Sequence, residues 1–459
     1  MRADPPLRPT PLSGFPEWLP EVRLVETRWL DHIRHTFESY GFTSVETPAV
    51  EALDVLLKKG ETSQEVYTLH RLQADPGDDS DARLGLHFDL TVPFARYTAQ
   101  NFNDLVFPFK RYQIQRVWRG ERPQAGRYRE FVQCDIDVIN VDRVPLYFDA
   151  EMPRIAHEIL TALRIGPFTI HLNNRKILEG FYAGLGIADP VAAIRIVDRL
   201  DKVGLGRVGD LLAGELGLDA VQVANCLKLA GIRGTDASVV TEVRALGVEH
   251  SLLDEGLTEL AFVLDALADL SPGSVVADLS IARGLDYYTG TVYEAKFVEF
   301  PDYGSICSGG RYDNLAGSFI RRALPGVGIS IGLTRIFAKL VAEGRLPIGP
   351  KCPTQVLVAV LDAESFALSV RTAATLRARG IRTEVYHQPD KLQKQLRYAL
   401  RKGIAYVWFP WAEANAGAGA DRGETHRVKE LASGEQVVAD PRGWLPVEPA
   451  EQVEPVTAR

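Results

Sequence analysis

The stretch that decides the fold consists of two segments, DLSIARGLDYYTGTVYEA at residues 278–295 and SICSGGRYDN at residues 305–314. Aromatic and aliphatic residues alternate through the first segment, a pattern that predicts strands. Polar groups that a buried strand disfavours interrupt it: Arg283, Asp286, Tyr287 and Glu294. The second segment predicts a glycine turn at Gly309 and Gly310, followed by Arg311, Tyr312 and Asp313. A surface hairpin would explain isolated charges, but two neighbouring segments that each place Tyr near Asp favour a polar ligand pocket.

A second pair of strands flanks a charged loop, VFPFKRYQIQRVWRGERPQAGRYREFVQCDIDVIN at residues 106–140. We predict a strand to about Arg119, a loop over residues 120–128, and a returning strand from Arg129 to Ile139. Alternation puts four side chains on one face of the returning strand: Phe131, Gln133, Asp135 and Asp137. Burying such polar groups is costly unless a ligand or partner meets them. A solvated hairpin with salt bridges remains the alternative.

Two further segments place polar or charged groups beside predicted strands. In LHFDLTVPFARY, residues 86–97, alternation predicts a strand on which Asp89 and Thr91 face the same side, an unfavourable place for Asp. In LPGVGISIGLTRIFAKL, residues 324–340, we predict a glycine-rich strand to Ile331 and a helix from Leu333, with Arg335 in its first turn. The glycines would let a ligand approach the backbone closely. An arginine at such a position is otherwise usually an exposed charge.

The rest of the chain predicts a mixed organisation. Apolar spacing predicts an amphipathic helix from Val22 to Tyr40, then a strand in FTSVETPAV. Residues 174–271 predict helices without strands, and residues 345–354 form a proline- and glycine-rich linker. Beyond the linker, strands and helices alternate in a small α/β domain. Its helix over 391–402 has a basic face with Lys391, Lys394, Arg397, Arg401 and Lys402, opposite Leu392, Leu396, Ala399 and Leu400. Such a face is either solvated or an RNA contact.

Composition limits the classes of function. The chain has 459 residues with 46% hydrophobic content, enough for two or three domains. It contains no apolar run long enough to span a membrane, and the proline-rich start lacks the apolar core of a secretory signal. The four cysteines are far apart, which predicts neither a zinc ribbon nor a disulfide framework and is typical of the cytoplasm. No phosphate-loop motif and no metalloprotease-like histidine spacing occurs, so we expect no protein-ligated catalytic metal.

The motifs together resemble the histidyl-tRNA synthetase family of class II aminoacyl-tRNA synthetases. RGLDYYTGTVYE and SGGRYD are similar to the two histidine-binding signatures, and RGERPQAGRYREFVQCDID is similar to motif 2 over its whole length. The helix and strand near the start resemble motif 1, the dimer-forming element, and the segment around Arg335 resembles motif 3. The resemblance implies an α+β fold: a six-stranded antiparallel catalytic sheet with flanking helices, a helical insertion, and a C-terminal α/β anticodon-binding domain. We expect catalytic parts at residues 1–173 and 272–345, the insertion at 174–271, and the anticodon-binding domain at 350–459.

The resemblance also implies chemistry and partners. Histidine would react with ATP to give histidyl-adenylate and pyrophosphate, and histidine would then pass to the 3′ end of tRNA(His). Mg²⁺ would bind mainly through the ATP phosphates, and the protein would be a cytoplasmic homodimer without a membrane role. The implied catalytic residues are Arg119, Arg283 and Arg335. The implied histidine-binding residues are Asp89, Thr91, Arg119, Gln133, Asp137, Arg283, Tyr287, Tyr288 and Tyr312. The implied ATP-binding residues are Arg119, Glu121, Arg127, Phe131 and Arg335, and the implied tRNA-binding residues are Lys391, Lys394, Arg397 and Arg401.

Two other functions use related folds. A regulatory, non-catalytic paralogue that senses histidine typically loses catalytic arginines and the anticodon domain, whereas this chain keeps Arg119, Arg283, Arg335 and residues 351–459. A sensor of uncharged tRNA would need a kinase domain, for which the chain has no room. The Ala/Gly tract at 412–420 is longer than the tight hairpin expected at that point of the family.

Overall fold

The computed structural model describes residues 8–57, 66–73, 83–124, 126–282, 288–313, 315–412 and 424–447. Within these residues the chain forms two compact units. One comprises Trp29–Glu343 with the described residues before Trp18, and the other comprises Trp18–Arg28 with the described residues from Gly344 onward. Each unit has its own sheet.

The helices and strands are numbered in chain order. The helices are α1 Pro20–Ser39, α2 Leu53–Leu56, α3 Thr91–Gln100, α4 Tyr147–Ala162, α5 Arg175–Gly184, α6 Pro190–Val197, α7 Leu200–Leu216, α8 Ala220–Ala230, α9 Ser238–Arg244, α10 Ser251–Ala266, α11 Leu333–Ala342, α12 Phe366–Ala378 and α13 Leu392–Lys402. The strands are β1 Thr43–Ser44, β2 Val50–Ala52, β3 Leu84–Leu86, β4 Phe109–Trp118, β5 Glu130–Ile139, β6 Phe168–Asn174, β7 Arg233–Gly234, β8 Val275–Asp278, β9 Tyr288–Phe297, β10 Ser305–Tyr312, β11 Gly326–Ile331, β12 Val356–Val358, β13 Thr383–Val385, β14 Tyr406–Ala412, β15 Glu424–Glu430 and β16 Gln436–Val438.

The sheet of the first unit is built around six consecutive antiparallel strands, in the order β4-β5-β11-β10-β9-β6. This confirms the expected α+β fold with an antiparallel catalytic sheet. The sheet extends further than the expected six strands, because β1 adds in parallel beside β4 and β8 adds in parallel beside β6. Strands β2 and β3 form a separate two-stranded sheet. The short helix α2 lies between these strands in the chain and packs against α3, which follows β3.

Helix α1 forms where the apolar spacing predicts it. In the first unit, Ile33 and Phe37 are completely buried, one turn apart on the same face. The ring of Phe37 lies 5.8 Å from that of Tyr112 on β4, and the ring of Trp29 lies edge-on to Phe337 of α11 at 5.4 Å. These contacts fix α1 and α11 against the sheet that carries the motifs. The positive φ of Gly41, 79°, ends the helical segment.

The segment from α5 to α10 is mainly helical, as predicted, but the expectation that it lacks strands is wrong. The two-residue strand β7 pairs with β8 at the edge of the sheet. Helices α5 and α10 cross closely, since a Cβ atom at Gly180 would lie 2.3 Å from the backbone nitrogen of Leu253, and one at Gly256 would lie 2.7 Å from that of Ile177. Only glycine permits this approach. The pair packs against β6 and β9, so it supports the sheet that forms the site.

The second unit is a small α/β domain, as predicted. Its sheet has the order β13-β12-β14-β15-β16, with β12 parallel to both β13 and β14. One prediction about α13 is wrong: Leu400 is 61% exposed, and Gln395 instead faces the core. The Gln395 amide donates to the carbonyl of Val360 at 2.6 Å and accepts from its N–H at 2.9 Å, which ties α13 to the end of β12. Most of the Ala/Gly tract lies outside the described residues.

Candidate functional site

Two pockets lie side by side on one face of the antiparallel sheet. Pocket A is a cavity of about 250 Å³ bounded by the charged loop between β4 and β5, by β10 and by the start of α11. Pocket B is smaller, about 90 Å³, and lies over the middle of β5, β10 and β11. Four residues line both pockets: Arg119, Gln133, Ser308 and Ser330. A molecule in one pocket would therefore meet a molecule in the other at this shared wall.

The face of β5 was predicted correctly. Phe131 and Gln133 line pocket A, while Gln133, Asp135 and Asp137 line pocket B. The strand pairs with β4 on one side and β11 on the other, so its pocket-facing residues lie on the floor of the site. Gln133 donates from Nε2 to the hydroxyl oxygen of Ser330 at 2.6 Å, which crosses from β5 to β11.

Asp137 is held from two sides. It accepts a hydrogen bond from the hydroxyl of Tyr312 at 2.9 Å, and its other oxygen lies 2.6 Å from the guanidinium of Arg111. Arg111 is completely buried and also lies over the ring of Phe94 at 4.3 Å. Arg111 is a residue that the sequence reasoning missed, although its register opposite Asp137 on the antiparallel pair brings the two charges together. The pair fixes the carboxylate at the floor of pocket B.

Asp135 is a buried acid of pocket B whose pKa is raised. Its side chain is 2% exposed, and burial raises its pKa from 3.8 to about 7, a rise that Arg111 and a hydrogen bond with Ser330 reduce and that Asp137 and Asp89 increase. Among the described residues its Oδ1 has no hydrogen-bond partner, and the same holds for Oε1 of Gln133. Asp135 lies on the face that the alternation predicts, but it was not among the predicted site residues.

Asp89 and Thr91 line pocket B together, as predicted, but not on a strand. Strand β3 ends at Leu86, and Thr91 is the first residue of α3. Asp89 accepts from the backbone N–H of Val92 at 3.3 Å, so it meets an unpaired donor of the first helical turn. Pro93 in that turn is the reason for the difference, because proline is tolerated at a helix start and interrupts a strand. Thr91 and Asp89 therefore lie beside a helix N-terminus.

Pocket A contains the predicted charged residues. Arg127 donates to Glu121 at 2.8 Å within the loop, and the guanidinium of Arg119 lies 5.2 Å from the centre of the Phe131 ring. Arg119 also donates from Nε to the carbonyl of Phe88 at 3.1 Å, which positions it at the wall shared with pocket B. Cation and ring thus lie on one side of the pocket, an arrangement that can hold a flat base and phosphate groups.

Arg335 lies in the first turn of α11, as predicted, and lines pocket A. It donates to the backbone carbonyl of Tyr303, whose hydroxyl donates to the carbonyl of Arg335 at 2.9 Å. A Cβ atom at Gly304 would lie 2.9 Å from Nη2 of Arg335, so a larger residue at 304 would displace the guanidinium. Tyr303 and Gly304 are therefore supporting residues that motif reasoning missed.

The central stretch is partly as predicted. Tyr288 and Tyr312 line pocket B from β9 and β10. The expected turn at Gly309 and Gly310 is wrong, because both glycines lie inside β10, paired with β9 and β11. A Cβ atom at Gly309 would lie 2.1 Å from the carbonyl oxygen of Gly328, so this close strand packing requires glycine.

Two predicted residues, Arg283 and Tyr287, lie outside the described residues. Arg311, which follows the glycines, does not line either pocket. It pairs with the fully buried Asp149 of α4 and donates to the carbonyl of Val144 at 3.0 Å. This arginine of the SGGRYD segment thus joins the sheet to α4.

The C-terminal unit has a separate basic cavity of about 500 Å³. Its lining combines two tyrosines with five cations: Tyr386, Tyr398, Lys351, Lys394, Arg397, Arg401 and Lys402. Lys391, the remaining predicted residue, is exposed at the N-cap of α13. All three lysines of the lining have acidic partners, since Lys394 lies 3.1 Å from Asp390, Lys402 lies 2.9 Å from Glu384 and Lys351 lies 3.9 Å from Glu21. Cations beside aromatic rings suit single-stranded nucleic acid.

Comparison with known proteins identifies two family matches. The family model described as histidyl-tRNA synthetase matches residues 14–336, and the one described as anticodon binding domain matches residues 355–409. A histidine–tRNA ligase from Thermobifida fusca is 67% identical over 438 residues, covering 95% of this chain and 98% of the relative. A histidine–tRNA ligase from Micrococcus luteus is 50% identical, covering 98% of this chain and 99% of the relative.

Solved structures agree with the sequence comparison. The crystal structure of histidyl-tRNA synthetase from Nostoc sp. PCC 7120 matches with a TM-score of 0.83 and 38% identity, covering 95% of this chain and 97% of that one. A structure described as an ATP phosphoribosyltransferase regulatory subunit/histidyl-tRNA synthetase from Bacillus halodurans matches with a TM-score of 0.71 at 19% identity, which is a likeness of fold alone.

Proposed function

The chain belongs to the histidyl-tRNA synthetase family and acts as a histidine–tRNA ligase, and we propose that the two adjoining pockets divide its small substrates between them. Pocket B takes histidine and pocket A takes ATP. The shared wall of Arg119, Gln133, Ser308 and Ser330 is the observation that supports this division. The histidine carboxylate and the α-phosphate must meet for adenylate to form, and among the described residues these four line both cavities.

We propose that pocket B reads histidine by charge and hydrogen bonding. Asp89, with Thr91 beside it, would bind the α-ammonium, and Arg119 would bind the carboxylate and turn it toward pocket A. Asp137, held by Arg111 and Tyr312, would lie at the imidazole end together with Gln133 and Tyr288. A pocket with fixed polar groups rejects side chains that leave those groups unpaired.

In pocket A, Phe131 would stack on adenine, while Glu121, Arg127 and Arg335 would hold the ribose and phosphates. Attack by the carboxylate on the α-phosphorus forms the phosphorus–oxygen bond of the adenylate, and pyrophosphate leaves. Such a transfer depends mainly on positioning and on stabilisation of charge. Arg119 serves this at the shared wall, and Arg283, which lies outside the described residues, would serve it from the other side. The terminal ribose hydroxyl of tRNA then takes the histidyl group and releases AMP.

A magnesium ion fits the donor set of pocket A only with help from the nucleotide. Glu121 is the acidic side chain among the described residues that line the pocket, and no cluster of three metal-ligating side chains occurs in the described part of the chain. Mg²⁺ usually binds through one or two carboxylates plus substrate phosphates. Glu121 and the ATP phosphates would therefore hold it, and bound Mg²⁺ would neutralise charge on the leaving pyrophosphate.

The tRNA would contact the C-terminal unit. We propose that the basic cavity with Lys394, Arg397 and Arg401 holds anticodon nucleotides, with Lys391 near its edge. Tyr386 and Tyr398 beside the cations support this, because aromatic rings stack on unpaired bases.

We also propose the four-part division at residues 1–173, 174–271, 272–345 and 350–459, a homodimeric assembly, and a place in the cytoplasm. In the described residues, no helix is long and apolar enough to cross a membrane.

Pyrophosphate exchange with each of the twenty amino acids tests the central proposal. Histidine alone should support exchange between ATP and pyrophosphate. Equal exchange with glutamine or lysine would contradict the assignment of pocket B. A chain that bound histidine without exchange would instead behave as a regulatory paralogue.

A further inference from the structure

Pocket B contains more carboxyl groups than are needed to bind the ammonium and carboxylate groups of histidine. Three carboxyl groups line it, those of Asp89, Asp135 and Asp137, and two guanidinium groups face them, those of Arg111 and Arg119. Under the proposed function, Asp89 binds the ammonium, Arg119 binds the substrate carboxylate, and Asp137, held by Arg111 and Tyr312, lies at the imidazole end. This assignment gives Asp135 no role.

Asp135 is a buried residue of β5 at the floor of pocket B. It lies between Gln113 of β4 and Ser330 of β11 in the sheet register, and Ser330 lies opposite Ser308 of β10. Its carboxyl is 2% exposed and its Oδ1 has no hydrogen-bond partner among the described residues. A buried carboxylate with an unpaired oxygen is costly, so its negative charge is disfavoured until a donor arrives.

The described charged groups that act on Asp135 do not form an ion pair with it. Arg111 on β4 is engaged with Asp137, and it attracts Asp135 only from a distance. Asp137 on the same strand and Asp89 before α3 repel it. On β10, burial raises the pKa of the Cys307 thiol, so this neighbour stays neutral. Ser330 is the hydrogen-bonding neighbour on β11.

We propose that Asp135 shares one proton with the imidazole of bound histidine, and thereby selects the substrate by its capacity to exchange a proton. The proposal rests on the assignment of histidine to pocket B. With neutral imidazole, the protonated Asp135 donates to a ring nitrogen. With imidazolium, the Asp135 carboxylate accepts from a ring N–H. The two descriptions differ only in which atom holds the proton, and the pair carries one proton in either.

Proton sharing predicts whether histidine binding takes up or releases protons at a given pH. Burial gives free Asp135 a pKa of about 7, and a free imidazole has an ordinary value of about 6.5. At pH 8 both groups are largely deprotonated, so binding takes up about 0.9 proton. At pH 5.5 both are largely protonated, so binding releases about 0.9 proton. Histidine affinity should therefore be greatest between pH 6 and 7.5 and fall on both sides, approaching tenfold per pH unit.

Calorimetry of L-histidine binding to the full-length protein tests this in two buffers of different ionisation enthalpy. The parent should take up close to one proton at pH 8. The isosteric variant Asp135→Asn should take up none beyond a small α-amino contribution, and its affinity should not decline between pH 7 and 8. The matched control is Glu294→Gln, which removes another buried carboxyl of the same sheet outside both pockets. Its proton uptake should equal that of the parent.

Three outcomes would overturn the proposal: no proton uptake by the parent at pH 8, unchanged uptake by Asp135→Asn, or equal loss of uptake by Glu294→Gln. The parent measurement needs no variant, so it decides the question even if Asp135→Asn fails to fold. If histidine does not bind the parent at all, the assignment of pocket B fails, which is a different result from binding without proton uptake.

Discussion

Gly328 controls the floor of pocket B through the space it leaves for Asp137. A Cβ atom at position 328 would lie 2.1 Å from Oδ1 of Asp137 and 2.6 Å from the carbonyl oxygen of Ile136. Both distances are far shorter than ordinary contact. Gly328→Ala must therefore displace the Asp137 side chain, push β5 away from β11, or do both.

The magnitude follows from the two contacts that Asp137 makes. Arg111 at 2.6 Å and Tyr312 at 2.9 Å both hold this carboxylate. A hydrogen bond to a charged group contributes about 1.5–3 kcal/mol. If the displaced carboxylate also loses its contact with histidine, the KM for histidine should rise by roughly 10- to 150-fold. The KM for ATP should change much less, because Gly328 lines pocket B and does not line pocket A.

Pyrophosphate exchange with histidine and ATP varied separately measures both constants. The control is Gly214→Ala in α7, where a Cβ atom would meet nothing within 4 Å. Combining Gly328→Ala with Asp137→Ala adds a second check, since substitutions that act through one contact should not add. A folded Gly328→Ala protein with a histidine KM within twofold of the parent would refute the reasoning, and so would full additivity with Asp137→Ala.

Three other predictions follow from named contacts. Asp135→Asn should raise the melting temperature at pH 8 but not below pH 4. The pKa of the Asp135 carboxyl is 3.8 in the unfolded chain and about 7 in the folded protein, so the parent loses stability as pH rises between these values. Equal melting temperatures of parent and variant at pH 8 would contradict this. Tyr312→Phe removes a donor to Asp137 and should raise the histidine KM about tenfold, measured by exchange; an unchanged KM would exclude that role. Arg397→Ala with Arg401→Ala should weaken tRNA charging and its salt dependence while exchange stays at the parent rate; undiminished charging would remove the basic cavity from the tRNA path.

The sequence predicted the returning strand β5 well because period-two alternation is a local property. Phe131, Gln133 and Asp137 required no knowledge of the rest of the fold, only the observation that polar residues occupied one face of an apolar strand. The predicted strand at Asp89 and Thr91 was wrong, because a helix begins at Thr91. The signal for that helix is also local. Proline at position 93 signals a helix start, and alternation alone ignored it.

Other features depend on long-range register, which no short motif contains. Arg111 meets Asp137 because β4 and β5 pair with these residues opposite each other, and a loop of about ten residues leaves several registers open. Gly309 and Gly310 were ambiguous for a related reason. Two adjacent glycines are common in turns, and only the packing of β10 between β9 and β11 shows that here they serve close strand approach.

Several buried polar groups at and beneath pocket B have atoms without a hydrogen-bond partner among the described residues. Arg111 retains two nitrogens without a hydrogen-bond partner among the described residues, and Asp135 and Gln133 each retain an oxygen. Each such group costs about 1–3 kcal/mol when it is buried without a partner, and this cost favours rearrangements that would pair it. The close glycine contacts at Gly309 and Gly328 oppose such rearrangements, because the backbones there have no room to shift. A ligand in pocket B that donates to Asp135 and Gln133 would recover part of this cost. If pocket B takes histidine as proposed, a substrate with an ammonium and a ring that both donates and accepts should recover more of this energy than an aliphatic side chain, and we expect that difference to contribute to specificity.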